Sequence, residues 1–525
     1  MFYFHGLYSK VACQSQIYSI FSNHRYRILT QRSLLPLLLL LILSSCSEEP
    51  EQPQDNASAT VSDTEAVLST GCKSCHTVEL DAAHDLDCTV CHGGSNDTPS
   101  KELAHKDMIL RPAHPDNMIQ VCGKCHQGQV ESTAHSLHFT LKKKVNRVRS
   151  AFGAEEDLPS LNDIPVTDSP ETILELADDL LRRRCLRCHP YFSGDRYPAV
   201  VRGTGCASCH LEFYEGKLVS HSFLKTPGDS QCLQCHYGNW VGYDYYGRYE
   251  HDMNDEYRTP YTTSYDYFRP FGVEFHQLSP DIHQQKGMVC VDCHAGKELM
   301  GADSVNSVKI SCAACHDTEK INRQVPLSNI RKIEDGSYSL LSAGDGKDHI
   351  IPQLKHPAHK KYGQTVGCQV CHAQWSFNDH ETHLLRSDLD EYEDFSRLSV
   401  QGSFEVEQII KNNLDFEADE MPHTMTDKLN GEAKEGLWYK GYKTRRWENV
   451  IIGYDEAGRL QVMRPLLDIY LSWIDEDETV RFDSMRSNAE NNGLTPYVPH
   501  TTGKAGMFYM ERIERGQRTK NDPVK

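Results

Sequence analysis

Along most of the chain, apolar residues recur with no sustained period, and a few stretches stand out against that background. The first is Leu34–Leu43, a ten-residue apolar run. The second is SPETILELADDLLRRRCLRCHP, in which Ile173, Leu176, Ala177 and Leu180 recur at helical spacing on one face. Ser169 reads as its helix cap and Pro170 as its first helical residue. Arg182, Arg183 and Arg184 sit late in this helix, where cations suit its dipole, and it runs directly into Cys185. A third stretch, SLHFTLKKKVNRVRSAFG, places Leu137, Leu141, Val145 and Val148 on one side. Its Lys142, Lys143, Lys144, Arg147 and Arg149 form a basic run, read either as a solvated face or as a docking patch for acidic groups.

After His383 the pattern changes. ENVIIGYDEAGRLQVMRPL has two β-rich arms around Asp455–Gly458, and DIYLSWIDEDETVRF repeats the form around Asp475–Glu478. Trp438, Trp447 and Trp473 supply apolar bulk there. The expected fold is mainly α with extensive irregular structure. Short helices and long loops would fill residues 71–384, and 385–525 would form a small β-containing module packed on them. Apolar residues make up only 38 % of the chain, against roughly 45–50 % in typical globular domains. The pattern and the composition therefore ask for a core built partly from something other than side chains.

The cysteines identify that material. A Cys-x-x-Cys-His unit occurs at Cys72–Cys75–His76, Cys88–Cys91–His92, Cys122–Cys125–His126, Cys185–Cys188–His189 and Cys206–Cys209–His210. It recurs at Cys232–Cys235–His236, Cys290–Cys293–His294, Cys312–Cys315–His316 and Cys368–Cys371–His372, so nine units use 18 of the 20 cysteines. A zinc ribbon needs two pairs per metal, has no use for a histidine fixed to the second cysteine, and would leave one of nine pairs unmated. A thioredoxin-like pair occurs once, near a βαβ pattern that is missing here. Covalent c-type haem accounts for every feature: two thiols for the two vinyl groups, and the adjacent histidine as proximal iron ligand. Nine c-type haems are expected, with His76, His92, His126, His189, His210, His236, His294, His316 and His372 as proximal ligands.

The other two cysteines bear on compartment. Arg25, Arg27 and Arg32 precede the apolar run, and Leu43-Ser44-Ser45-Cys46 follows it, the pattern of an export signal. A spanning helix needs about 20 apolar residues, twice what is present. Leu43–Cys46 resembles a bacterial lipoprotein box with Cys46 as the lipidated residue, which makes 1–45 a signal peptide and leaves Cys13 in the discarded segment. Ser47 stands where an inner-membrane retention signal would place Asp, which favours the outer membrane. Residues 46–70, acidic and poor in apolar groups, read as a flexible tether. The net charge of −19 makes nucleic acid an improbable partner; redox proteins of the periplasm or outer membrane are expected instead, and assembly into oligomers is allowed.

If every iron is saturated, nine more ligands are needed. Sixteen histidines remain once the motifs and the signal segment are set aside. His84, His105, His114, His138, His221, His251, His283, His359 and His500 are the expected distal ligands, and His84 serves a neighbouring haem rather than the one at Cys88. His135, His349, His356 and His423 are expected at the surface. A stretch crowded with Tyr243, Tyr245, Tyr246, Tyr249, Tyr257, Tyr261, Tyr265 and Tyr267, with Trp240 and Arg258, reads first as aromatic packing on porphyrin faces. Its alternative is a polar pocket beside a haem, with tyrosine hydroxyls and His251 handling protons.

The runs HPDNMIQVCGKCHQ and SLHFTL, the pair RRRCLRCHP and GTGCASCH, then SPDIHQQKGMVCVDCH and PYVPHTTG resemble the multihaem cytochrome c superfamily. That superfamily includes pentahaem nitrite reductases, octahaem hydroxylamine oxidoreductases and octahaem tetrathionate reductases. The resemblance covers most of residues 71–383 and touches His500. It implies haem binding specifically and chemistry only in outline. The nitrite reductase pattern has lysine in place of one motif histidine, and no Cys-x-x-Cys-Lys occurs here. In the tetrathionate enzyme the motifs look ordinary and a lysine caps the catalytic iron. In the hydroxylamine enzyme a tyrosine modifies the catalytic haem, and no tyrosine here matches it. In relatives the PHTT histidine often precedes a further haem motif, whereas here TTGKAGMFYMERI follows.

Two functions from different classes are compatible with these features. One is a lipid-anchored electron carrier with nine closely packed haems between periplasmic donors and an outer-membrane or extracellular acceptor. The other is a terminal oxidoreductase acting on a small nitrogen or sulfur compound at one five-coordinate or lysine-ligated haem. The anchor and the spare histidines favour the carrier.

Overall fold

The computed structural model describes residues 71–194, 201–214, 217–236, 242–250, 275–301, 310–323, 327–376, 378–389, 424–489, 493–506 and 508–521. The signal segment, Cys46 and the tether lie outside these, as do His251 and His423. Residues 68–525 form one compact unit.

Up to His372 this unit is a succession of short helical turns joined by irregular chain, with small ribbons such as Phe213–Tyr214 paired to Lys217–Leu218. Besides Gly123–Ala134, which is kinked at His126, two longer helices interrupt it. The first, α1, is Lys142–Ala151, which buries Val145 and Val148. Leu141 before it has φ 39°, so the amphipathic stretch of the sequence breaks into Leu137–Thr140 and α1, and Leu137 is left exposed. The second, α2, is Ile173–Arg183. Its cap is Thr172, whose side chain accepts from the Glu175 N–H while Glu175 reaches back to the Thr172 N–H. This capping box displaces the start from Ser169 and Pro170, because it satisfies two end donors reciprocally.

The expectation of a mainly α fold is overturned. Helix accounts for 34 % and strand for 19 % of the described residues, with several β-sheets. The largest is four-stranded. Its strands are β1 (Asp379–Ser387), β2 (Leu437–Arg445), β5 (Ile469–Ile474) and β6 (Val480–Arg486), in the order β2-β1-β5-β6. β1 pairs antiparallel with β2 and parallel with β5. A second sheet joins β3 (Ile451–Tyr454), β4 (Leu460–Pro465) and β7 (Leu494–Pro496) in that order. Both hairpins expected from the sequence are present, as β3–β4 and β5–β6. The central strand β1 escaped because DHETHLLRS reads as polar. Its Arg386 is buried beside the carboxylates of Asp388 and Asp179, and Asp468 accepts the Glu381 N–H.

The main side-chain core lies between α1, α2 and the four-stranded sheet, where Leu176, Ala177, Leu180 and Leu181 meet Leu437, Trp438, Leu471 and Trp473. Polar pairs are buried with them. Arg149 bonds Asp178 at 2.7 Å, Arg183 bonds Asp179 at 2.9 Å, and Trp438 Nε1 donates to Asp179 at 2.7 Å. Removing one partner of such a pair leaves a buried charge unmet and costs about 3–5 kcal/mol. α2 is therefore held rigidly where it delivers the chain to Cys185. The second sheet packs through Ile452, Leu460 and Val462 on Val370, within the last motif, and on Ile513 of the closing helix, α4 (Tyr509–Asn521).

Candidate cofactor-binding array

Every motif sits on a helical turn. Cys88–His92, Cys312–His316 and Cys368–His372 are complete short α-helices. Cys72–Ser74 and Cys185–Cys188 are 3-10 turns, and the others lie on or beside α-helical turns. Residues three and four apart share a helix face, so one turn presents both thiols and the histidine to the same side.

Those faces open on one continuous cavity of about 4070 Å³, lined by residues of all nine motifs. That is several times the roughly 300–1,000 Å³ of a pocket for one drug-sized ligand. Seventeen of the eighteen motif cysteines and eight of the nine motif histidines line it; Cys185 and His189 do not. Burial raises the Cys293 thiol to about 12 and Cys315 to about 11.

Seven motif histidines each face one histidine from elsewhere in the chain. Ring centres are 6.0 Å apart for His76 and His105, 6.1 Å for His126 and His84, and 6.3 Å for His92 and His221. They are 6.3 Å apart for His236 and His138, and 6.4 Å for His294 and His500. His316 with His283 and His372 with His359 are each at 6.1 Å. Two imidazoles bound through Nε2 on opposite sides of one metal, with bonds of about 2.0 Å and ring centres about 1.1 Å behind the nitrogens, have centres roughly 6.2 Å apart. The observed spacings fit that arrangement. Among the described residues no three His, Cys, Asp or Glu side chains converge as a bare ion site would need. A metal held by such a pair would take its remaining ligands from a group that spans the space between the rings, and a porphyrin does this.

The rings are aimed by their other nitrogen. Nδ1 donates to a backbone carbonyl in His92 (Ile109, 2.9 Å), His210 (Leu224, 2.6 Å), His316 (Pro352, 2.7 Å) and His372 (Gly503, 2.9 Å). The facing histidines are fixed in the same way: His105 on the Lys101 carbonyl at 2.7 Å, His84 on Asp81 at 2.9 Å and His283 on Asp281 at 2.8 Å. Such bonds fix the tautomer that leaves Nε2 free as a metal ligand. Burial lowers His500 to about 4, which keeps it neutral, as ligation requires. The carbonyls could not be picked out from the sequence, because backbone acceptors carry no residue signature.

The fourth motif differs. His189 is buried, with Nε2 on the Phe139 carbonyl at 2.6 Å and its ring stacked on Tyr191 at 5.1 Å. His114, expected as a distal ligand, contacts the other side of this group, 5.2 Å from Tyr191. Among the described residues no histidine ring faces His189 or His210. Lys144, Arg184 and Lys440 bring positive charge to Cys185. His349 pairs with Asp345 at 3.1 Å, His356 caps the helix Pro357–Tyr362, and His135 ends the helix Gly123–Ala134. Of the tyrosine-rich stretch, Tyr245 donates to the Met288 carbonyl at 2.8 Å, Tyr246 to Asp229, and Tyr249 is buried against Trp375. Trp240, Tyr257, Arg258, Tyr261, Tyr265 and Tyr267 lie outside the described residues.

Neighbouring motifs influence one another electrostatically through their thiols in a definite order. Cys72 interacts in this way with Cys88, Cys122 with Cys206, Cys232 with Cys290 and Cys312 with Cys368. Cys91 lies within charge range of Cys122, Cys209 of Cys235, and Cys293 of Cys315. The motifs thus run first, second, third, fifth, sixth, seventh, eighth, ninth. The fourth branches from the sixth, where the Cys235 thiol meets the Cys188 carbonyl at 3.4 Å.

Comparison of the chain with protein-family models, with curated proteins and with solved structures returns no match.

Proposed function

We propose that this chain is a multihaem c-type cytochrome, exported and lipid-anchored at Cys46, that passes electrons between periplasmic donors and an outer-membrane or extracellular acceptor. The observation that carries this reading is the set of seven motif histidines, each facing one other histidine at 6.0–6.4 Å along a single cavity. Bound haem supplies reversible one-electron iron chemistry. The chain supplies the rest. Cysteine pairs fix position, paired histidines fix geometry on both sides, and carbonyls at Nδ1 hold the rings in place. No acid, base or nucleophile is required for this role. Intact mass and pyridine haemochrome assay of the exported protein test it: nine haems per chain are expected, and a haem-free chain or one with bound zinc would reject it.

A second reading is favoured by one specific feature: the fourth motif, which like the fifth has no facing histidine among the described residues, is also surrounded by cations. With Lys144, Arg184 and Lys440 around Cys185, this branch suits a terminal oxidoreductase site for a small nitrogen or sulfur anion. Its signature is a high-spin ferric EPR signal of which about one spin per chain disappears in Cys185→Ala/Cys188→Ala. Retention of that signal in the variant would remove the fourth motif as its source.

A further inference from the structure

The two ends of the row carry opposite charge. Residues 71–107, around the first and second motifs, contain seven Asp and Glu against three Lys. Residues 354–363 and 503–518, which flank the ninth, contain seven Lys and Arg against two Glu. In a chain of net charge −19 this is a local inversion.

The basic segments are built onto the ninth site. The helix Pro357–Tyr362, here α3, brings His359 to face His372 and exposes Lys360 and Lys361 on the same turn. Gly503, whose carbonyl holds His372 Nδ1, is followed by the exposed Lys504. Apolar surface accompanies these lysines, and Lys361 Nζ lies 4.8 Å from the centre of the Tyr362 ring. Phe508 is 60 % exposed and Met510 39 % exposed at the start of α4, and Tyr362 reaches the Met510 sulfur at 4.0 Å. An apolar centre inside a charged rim is the anatomy of a protein-binding surface.

We propose that the ninth site is the electron port of the row and that its lysine rim docks an acidic one-electron redox protein. This rests on the electron-transfer reading and names the partner's chemistry. One electron crosses per encounter, from the ninth site to the oxidised partner or in reverse. No atom or proton moves. The partner is identified by charge complementarity: the rim is positive in a molecule of net charge −19 and lies at the ninth site, whereas the first and second motifs at the other end are acidic, so an acidic surface is drawn to this end of the row and repelled from the other.

The test uses the exported, haem-loaded protein, reduced with dithionite and mixed by stopped flow with an oxidised acidic flavodoxin. Lys360→Glu/Lys361→Glu and Lys504→Glu are compared with Lys143→Glu, a control in the exposed basic run of α1. At low salt the rim variants should lower the second-order rate at least about threefold, and the difference should vanish at high salt, the mark of steering. The control should match the unmodified protein. Equal rates in all proteins at low salt, or a slowing by Lys143→Glu alone, would overturn the proposal. A slowing that persists at high salt would assign the lysines to haem propionates and also overturn it. A chain with no haem absorbance would instead reject the electron-transfer reading itself, a result distinct from either.

Discussion

Between α1, α2 and the four-stranded sheet, side chain meets side chain. Leu176, Leu437, Trp438 and Leu471 are each at 0 % exposure, and the carboxylates and guanidinium groups among them are paired. Around the motifs the interior is a continuous space, walled by the thiols and imidazoles together with apolar side chains such as Val90, Leu110, Phe223 and Leu299 that do not close on one another. The first region is ordered by burial that the polypeptide provides for itself. The second has its geometry fixed from outside, by carbonyls and carboxylates that hold ring nitrogens, and its centre is left for a bound group. One chain therefore holds two kinds of core, and they should fail under different insults.

The largest effect should come from withholding haem during export. The motif turns should then lose hydrogen-exchange protection, while β1, β2 and β5 keep theirs; uniform loss across both regions would remove the distinction. Within the side-chain core, Asp179→Ala removes the carboxylate from Arg183, leaving it only backbone carbonyls, and leaves the Trp438 indole N–H without its acceptor, and should cost about 3–5 kcal/mol in denaturant unfolding. Leu471→Ala, at the centre of the same core, should cost about 2–5 kcal/mol. Neither substitution should change the haem count. His283→Ala acts in the opposite sense. It should leave the unfolding midpoint almost unmoved and convert the eighth site from low-spin to high-spin, read by EPR. A loss of stability as large as that of Leu471→Ala would mean that His283 is a packing residue.

How much of this was legible beforehand differs between the two regions in the same physical terms. The motifs are local, with their residues on one helical turn, so their positions could be read directly. The facing pairs are not local. His359 and His372 are close in sequence, but His294 meets His500 from the far end of the chain, and no periodicity encodes that meeting. His114 was expected on the same grounds as the others and contacts Tyr191 instead. In the sheet region the two hairpins announced themselves through alternation around tight turns. β1 did not, since a central strand whose polar groups are met by Asp179, Asp388 and Asp468 looks like a loop in one dimension. The start of α2 was misplaced because Thr172 and Glu175 form a reciprocal cap that outweighs Ser169 and Pro170.

The measurement closest to the central claim is a spin count of the oxidised, exported protein by EPR and near-infrared magnetic circular dichroism. The account predicts at least seven low-spin ferric centres per chain with paired imidazole ligands, one for each facing pair. Any other spin state should be confined to the fourth and fifth motifs. Fewer than seven such centres, with high-spin iron spread through the array, would contradict it.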